Sequence, residues 1–97
     1  MVKHIILWKL KESLSENEKA TARAEAKRRL EALSGKIDGL LEIKVITDRL
    51  PSSNADMMLY SEFENEESLA GYQTNPLHVE AAGYVCSVVE ARLCLDF

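Results

Sequence analysis

Hydrophobic side chains occupy both faces of the first predicted strand, residues 2–10. Because side chains alternate along a strand, one face carries His4, Ile6, Trp8 and Leu10, and the other carries Ile5 and Leu7. Both apolar faces need cover, and the predicted helices supply it for only one of them. We therefore expect a second copy of the same chain to cover the other face.

A capping box predicts the start of the first helix. Ser15 can accept from backbone N–H groups of the first turn, and Glu18 can reach back to the Ser15 backbone. Apolar residues then recur at helical spacing, at Ala22, Ala26, Leu30 and Leu33. Gly35 is suited to a left-handed stop. The alanines in the first half of this stripe predict close approach of the helix to a sheet.

Two further strands are predicted on either side of a loop over residues 48–55, which contains Pro51. In the strand over residues 41–45, one face carries Leu41, Ile43 and Val45, and the other carries Glu42 and Lys44. This half-polar pattern predicts an edge strand. In the strand over residues 57–63, one face carries Met57, Leu59 and Phe63, and the other carries Met58 and Tyr60. Its two apolar faces predict a central strand.

Two asparagines predict the remaining helix starts. Asn65 can cap a short helix through Tyr72, and Asn75 followed by Pro76 restarts the helix, because proline is tolerated at its first position. The expected apolar stripe of this last helix is Val79, Ala82, Cys86 and Val89. Residues 92–97 alternate as a final strand, with Leu93, Leu95 and Phe97 on one face.

The order strand, helix, strand, strand, helix, strand predicts an α+β, ferredoxin-like βαββαβ fold with a four-stranded antiparallel sheet. We expect residues 1–97 to form one domain. Both helical regions of this topology pack on one face of the sheet. The opposite face would leave a large apolar patch, which usually marks an interaction site. Two such sheets facing each other would close an α/β barrel.

Composition narrows the classes of function. The chain is 46% hydrophobic and 29% charged, with a net charge of −4, which is typical of a folded soluble protein. Nucleic-acid binding normally needs a basic patch, which this acidic chain lacks. The first apolar run is far shorter than a membrane span and has no cleavage site. We expect a cytoplasmic protein with neither nucleic acid nor membrane as a partner.

The cysteines and histidines do not predict a metal site. Cys86 and Cys94 are spaced for neither a CxxC redox motif nor a zinc motif. We expect both to be buried and reduced, with an exposed, reactive thiol as the alternative. The two histidines and the scattered carboxylates lack ligand spacing, and the four glycines form no phosphate loop. No metal and no cofactor are therefore expected.

His78 is the best candidate for chemistry, because an unperturbed histidine titrates near pH 6.5 and can take a proton at neutral pH. Tyr72 or Asp96 can hold its tautomer. The alternative is that His78 bonds to nearby backbone and only fixes the turn where the helix restarts. His4 shares a face with Ile6 and Trp8, which favours a buried, hydrogen-bonded histidine over a ligand.

Several segments resemble one known family. They are the opening strand over residues 2–11, the turn over 37–40, the segment over 69–78 with its Asn-Pro-Leu-His, and the closing Asp96 and Phe97. Together they resemble the stress-responsive A/B barrel proteins, also called Dabb or dimeric α+β barrel domains. The resemblance implies a homodimeric barrel, with a cavity between the sheet and the helices in some members. Most members have no assigned activity.

One branch of that family resembles polyketide cyclases, which close rings by aldol chemistry without metal or cofactor. That resemblance implies catalysis by His78 and Tyr72. The expected pocket residues are His4, Trp8, Met57, Tyr60 and Asp96. The leading hypothesis is a homodimer of unassigned activity that holds a small hydrophobic ligand. The cyclase-like enzyme is the alternative and predicts a cavity of at least about 300 Å³ at His78. A haem-dependent monooxygenase of the same architecture is a third hypothesis.

Overall fold

The computed structural model describes residues 1–97. The elements are, in chain order, β1 (Val2–Leu10), α1 (Glu16–Glu31), β2 (Leu40–Ile46), β3 (Met57–Phe63), α2 (Glu66–Thr74), α3 (Pro76–Val88) and β4 (Val89–Asp96). This order confirms the predicted α+β, ferredoxin-like arrangement. No helix of the chain is both long enough and apolar enough to cross a bilayer.

The four strands form one antiparallel sheet in the order β2-β3-β1-β4. The two strands with apolar residues on both faces, β1 and β3, are central, as predicted. The half-polar β2 is an edge strand, also as predicted. The register of β1 with β4 places His4 opposite Asp96 and Ile6 opposite Cys94, and this pairing builds part of the site described below.

The core lies between one face of the sheet and the three helices. The buried residues of β1 and β3 alternate with exposed or half-buried ones, and they pack against the apolar stripe of α1. Ala26 is fully buried, so the small residues of this stripe let the helix approach the sheet closely, as predicted. We call this side of the sheet the helix face.

Side-chain caps begin each helix where the sequence places them. The Ser15 hydroxyl accepts from the Glu18 N–H at 3.1 Å, and the Glu18 carboxylate accepts from the Ser15 N–H at 2.8 Å. Asn65 caps α2 by accepting from the Ser68 N–H. Asn75 accepts from the Leu77 N–H at the start of α3, with Pro76 at the first turn. The chain therefore restarts its helix at Asn75, as predicted.

Two local expectations were wrong. Leu41 is expected to share a face with Ile43 and Val45, but it is 52% exposed, whereas those two residues are buried. An irregularity in the pairing between Leu40 and Glu42 inserts one extra residue, and such a bulge shifts the alternation of side chains. The first helix also ends before the predicted stop, at Glu31, and Gly35 takes its positive φ in the turn beyond it.

The expected stripe of α3 was also wrong, because Ala81 and Val85 are its buried residues. Val79 faces solvent, and Cys86 is exposed. The helix packs mainly against α1 rather than against the sheet. The side of α3 that carries Ala82 and Cys86 therefore borders a small pocket above the sheet and does not enter the core.

Both cysteines were expected to be buried, and both are exposed, unpaired thiols. Cys86 lies on the poorly covered side of α3. Cys94 lies on the edge strand β4, where every residue from Glu90 to Asp96 is exposed. Both cysteines have apolar neighbours in the sequence. In the structure, Cys86 lies on an exposed part of α3, and no helix covers Cys94.

The opposite side of the sheet carries hydrophobic side chains that no helix covers. We call this side the open face, and its apolar residues are Ile5, Leu7, Ile46, Met58, Tyr60, Leu93, Leu95 and Phe97. The strand pairing makes them contiguous, because Leu7 lies opposite both Met58 and Leu93. Leu93 is 71% and Leu95 64% exposed. The patch expected from the sequence is therefore present.

Gly39 generates a prediction about stability. Its φ is +81°, and a Cβ there would overlap the Ser68 side chain on α2. Gly35 has a similar φ of +76° but open space around it. A left-handed non-glycine residue costs about 1–2 kcal/mol, and overpacking adds about 1–3 kcal/mol. Gly39→Ala should therefore lower the unfolding free energy by roughly 2–4 kcal/mol, and Gly35→Ala by about 1 kcal/mol.

Urea denaturation of the two variants beside the parent chain measures this difference. Gly35→Ala is the matched control, because it introduces the same backbone strain without the side-chain overlap. Equal losses in the two variants would contradict the proposed role of the Gly39 and Ser68 contact.

Candidate functional site

Aromatic rings from three elements meet above the helix face. His4 comes from β1, Tyr72 from α2 and His78 from α3. The ring centroids of Tyr72 and His78 are 4.1 Å apart, and those of His4 and Tyr72 are 6.2 Å apart. Phe63 of β3 packs 4.9 Å from Tyr72. The structure therefore brings together the two residues that the resemblance assigns to catalysis.

Tyr72 is fully buried, and its hydroxyl has no hydrogen-bond partner. It points inward because it shares a helical face with Leu69, three residues earlier, which is also buried. Burial raises the pKa of the phenol well above its usual range, so the hydroxyl keeps its proton. A buried polar group without a partner is uncommon and costs about 1–3 kcal/mol. Tyr72 therefore offers a free donor inside the protein.

The position of His78 follows from the start of α3. Its Nδ1 lies 3.3 Å from the Gln73 carbonyl oxygen. A carbonyl only accepts, so Nδ1–H donates, and Nε2 of the neutral ring keeps its lone pair. Burial lowers the pKa of His78 below its ordinary value and outweighs the hydrogen bond to the Gln73 carbonyl, which acts to raise it; the charge of Arg92 acts in the same direction as burial. His78 is thus held as a neutral base, and it also makes the backbone bond expected under its purely structural alternative.

A small pocket lies beside these two rings, between α3 and the helix face. Its lining residues are Ile6, Trp8, Leu30, Leu59, Tyr72, His78, Ala82, Val85, Cys86, Val89 and Arg92. The cavity volume is about 90 Å³. This is far below the roughly 300 Å³ expected for a cyclase pocket, so that expectation was wrong. The pocket is also much too small for a haem group.

His4 and Asp96 form a pair of their own. The His4 Nδ1 donates to the Asp96 carboxylate, and His4 is buried as expected. Partial burial acts to raise the pKa of Asp96, but hydrogen bonds from His4 and Cys94 outweigh it and hold that pKa below its ordinary value. Asp96 was expected to orient His78. It is bonded to His4 instead, because strand pairing places those two residues opposite each other.

The other expected pocket residues divide between the two faces. Trp8 lines the pocket. Met57 is buried in the core and does not line it. Tyr60 lies on the open face, where its hydroxyl donates to Glu62. That hydrogen bond, with partial burial, raises the pKa of Tyr60 to about 12. Its expected place in the pocket is therefore corrected.

Sequence reasoning missed Arg92, which lines the pocket, and Cys94, which lies beside His4 and Asp96. The alternation of side chains along the last strand could have identified both residues. Because Leu93 and Leu95 were placed on one face, Arg92, Cys94 and Asp96 had to share the other. What the pattern could not show was that this second face meets a histidine from β1.

Residues 2–97 match the family model described as Stress Responsive A/B Barrel Domain. No curated protein matches the chain. A dimeric protein of unknown function and ferredoxin-like fold from Bacteroides fragilis is 35% identical, with a TM-score of 0.93, over 99% of this chain and 93% of that one.

Two more distant structures show the same fold. A dimeric ferredoxin-like protein of unknown function from Thermobifida fusca is 20% identical, with a TM-score of 0.80, over 99% of this chain and 88% of that one. The hydroxynitrile lyase from Passiflora edulis is 20% identical, with a TM-score of 0.73, over 99% of this chain and 90% of that one.

The environment of His78 predicts its titration. Burial disfavours the imidazolium, so His78 in the folded chain should titrate below its ordinary pKa of 6.5. Its contribution to stability is then fully present above that pH and falls as the pH drops through the folded-state pKa. The ring proton shifts of the histidines, followed against pH by NMR, measure the midpoint.

The chain has two histidines, so His78→Gln assigns the signals. The same chain unfolded in urea supplies the reference midpoint. A folded-state midpoint for His78 at or above that reference would show that burial does not control this group.

Proposed function

Because the chain belongs to the stress responsive A/B barrel domain family, we propose that it acts as a homodimer that binds a small, mainly apolar ligand between the sheet and helices of each subunit. The open face supports the dimer. The unpartnered hydroxyl of Tyr72 is the single observation that carries the ligand site.

The open face suits a second copy of the same sheet. Exposed apolar patches of this kind mark interaction sites on soluble proteins, and two sheets can pack face to face about 10 Å apart. Charged side chains flank the patch at Glu42, Lys44 and Glu62, which fits the polar rim of an interface. The relative from Bacteroides fragilis is described as dimeric, and this supports the same assembly here.

The pocket limits the ligand to a small molecule. A volume of about 90 Å³ corresponds to roughly three water molecules in the liquid. Most of the lining is apolar, and the polar groups are Tyr72, His78 and Arg92. A compact hydrocarbon body with one hydrogen-bond acceptor complements this lining, because the acceptor would satisfy the Tyr72 hydroxyl.

The paired rings favour a second function, an acid–base enzyme without a metal or organic cofactor. In that role, His78 Nε2 takes a proton from a carbon next to a carbonyl group, and the Tyr72 hydroxyl donates to the carbonyl oxygen as negative charge develops there. The neutral state of His78 and the 4.1 Å ring separation support this arrangement. The pocket volume favours a substrate much smaller than a poly-β-keto chain.

The proposed homodimer predicts different oligomeric states for two substitutions, one on the open face and one on α3. Leu93→Glu places a charge on the open face of each subunit, opposite Leu7 of β1, and burial of an unpaired charge is strongly unfavourable. We expect it to weaken dimerisation by at least about 100-fold, which corresponds to roughly 2.7 kcal/mol. Light scattering at micromolar concentration should show a dimer for the parent chain and a monomer for the variant.

Val79→Glu is the control, because Val79 is also exposed, at 54%, but lies on α3 away from the open face. It should remain dimeric. A parent chain that stays monomeric at these concentrations, or an equal effect of both variants, would contradict the sheet-to-sheet assembly.

The ligand site predicts binding of a small ketone such as 2-butanone. NMR should show shifts of the Leu59 and Val85 methyl groups, which line the pocket. Tyr72→Phe removes the donor, so affinity should fall by about fivefold, equivalent to about 1 kcal/mol. The ligand-free variant should become more stable, because the unpaired buried hydroxyl is gone. Tyr60→Phe is the control and should bind like the parent chain.

The same mixture in D₂O distinguishes the two functions. An acid–base enzyme would exchange the protons next to the ketone carbonyl faster than buffer does, and His78→Ala would remove that exchange. Binding without accelerated exchange would support the ligand-holding function and contradict the acid–base enzyme. Absence of binding by the parent chain, or equal binding by the Tyr72→Phe variant, would contradict the proposed site.

A further inference from the structure

Three metal-ligating side chains from two strands meet beside the helices. The His4 Nδ1, the Cys94 Sγ and an Asp96 carboxylate oxygen all lie within 4.8 Å of one another. None of the three residues lines the pocket at His78. We propose that they form a binding site for Zn²⁺, which is separate from the ligand site proposed above and does not depend on it.

Strand geometry brings the three ligands together. Cys94 and Asp96 are two residues apart on β4, so both point to the helix face. His4 lies directly opposite Asp96 in the antiparallel pair with β1, and Cys94 lies opposite Ile6. His4 is therefore the cross-strand neighbour of Asp96 and the diagonal neighbour of Cys94. This cluster has no sequence motif, because His4 is 92 residues from Asp96 and 90 residues from Cys94.

The spacing of the donor atoms fits tetrahedral coordination. The Cys94 Sγ lies 3.7 Å from the His4 Nδ1 and 3.5 Å from the Asp96 Oδ1. Zinc bonds of about 2.0–2.3 Å at tetrahedral angles place ligand atoms roughly 3.3–3.7 Å apart. The third pair, His4 and Asp96, is hydrogen-bonded and must separate to the same spacing. Asp96 can make that movement, because its side chain is 39% exposed on an edge strand.

His4 provides a fixed point for the site. Its side chain is only 2% exposed, and its ring packs edge-on against Phe63 and Tyr72. Its backbone carbonyl accepts from the Ser61 hydroxyl at 2.9 Å. One ligand is thus rigid, while the two on β4 can adjust around an ion. Three protein ligands beside solvent leave a fourth position for water.

The donor set selects the type of ion. A thiolate and an imidazole favour Zn²⁺ over Mg²⁺ or Ca²⁺, which prefer oxygen ligands. On binding, Cys94 releases its thiol proton to solvent, and the proton on His4 moves from Nδ1 to Nε2. The thiolate and the carboxylate then balance the two charges of the ion. Burial and the Asp96 carboxylate raise the pKa of the Cys94 thiol, and Arg92 on the same face opposes that shift only in part, so the ion must displace the thiol proton. Arg92 also repels the cation.

Cobalt provides a direct test, because Co²⁺ replaces Zn²⁺ and a cobalt–thiolate bond gives a near-ultraviolet charge-transfer band. The reduced, metal-free chain of residues 1–97 is titrated with Co²⁺ and then with Zn²⁺. We expect one equivalent of Co²⁺ per chain, a charge-transfer band, and loss of that band when Zn²⁺ displaces the cobalt.

Two cysteine variants decide which thiol is responsible. Cys94→Ser should abolish the band, and Cys86→Ser, which changes the other exposed thiol, should keep it. Asp96→Asn should weaken binding by more than about tenfold, since even the loss of an outer-shell group costs that much. His4→Gln alters a buried residue, so its result is used only when circular dichroism shows the native fold.

Absence of a charge-transfer band in the parent chain would overturn the proposal. A band that survives Cys94→Ser, or that disappears with Cys86→Ser, would also overturn it. Unchanged affinity in Asp96→Asn would remove the carboxylate from the site and contradict the three-ligand arrangement.

Discussion

The helices of this chain all pack on one face of a sheet whose central strands are apolar on both faces. This arrangement follows from β1 and β3, where buried side chains on the helix face alternate with hydrophobic ones on the open face. Burial of apolar area is the main favourable term in folding and association, so the helix face builds the subunit and the open face remains for a partner. The proposed dimer therefore originates in the sheet itself.

The same arrangement accounts for the pocket. The small residues of α1 allow close packing on the sheet, whereas α3 rests mainly against α1 and leaves a gap above β1 and β4. Arg29 on α1 lies over the Tyr84 ring on α3, with 4.4 Å from the guanidinium carbon to the ring centroid, and this contact joins the two helices. Tyr72 and His78 border the gap because the Asn75 cap separates α2 from α3. The pocket at Tyr72 and His78 therefore exists because α1 packs closely on the helix face and α3 does not.

The edge strand β4 carries apolar side chains on the open face and mainly polar ones on the helix face. Its open-face residues extend the apolar patch, while Arg92, Cys94 and Asp96 lie on the helix face, where each of them is exposed. Polar side chains are suited to this position, since it is neither core nor interface in the subunit. His4 from the neighbouring strand is buried and contacts both Cys94 and Asp96. The proposed metal site and the ligand pocket therefore lie on the same face of the sheet but use different residues.

The sequence by itself determined the elements, their order, the helix caps and the two apolar faces of β1, because these depend on local periodicity and on capping chemistry. It also identified Tyr72 and His78 through a family resemblance. Only the tertiary structure decided the bulge at Leu41, the exposure of Cys86, the bonding of Asp96 to His4 and the small volume of the pocket. These depend on strand register and on the distance between packed elements, and residues far apart in the chain set both.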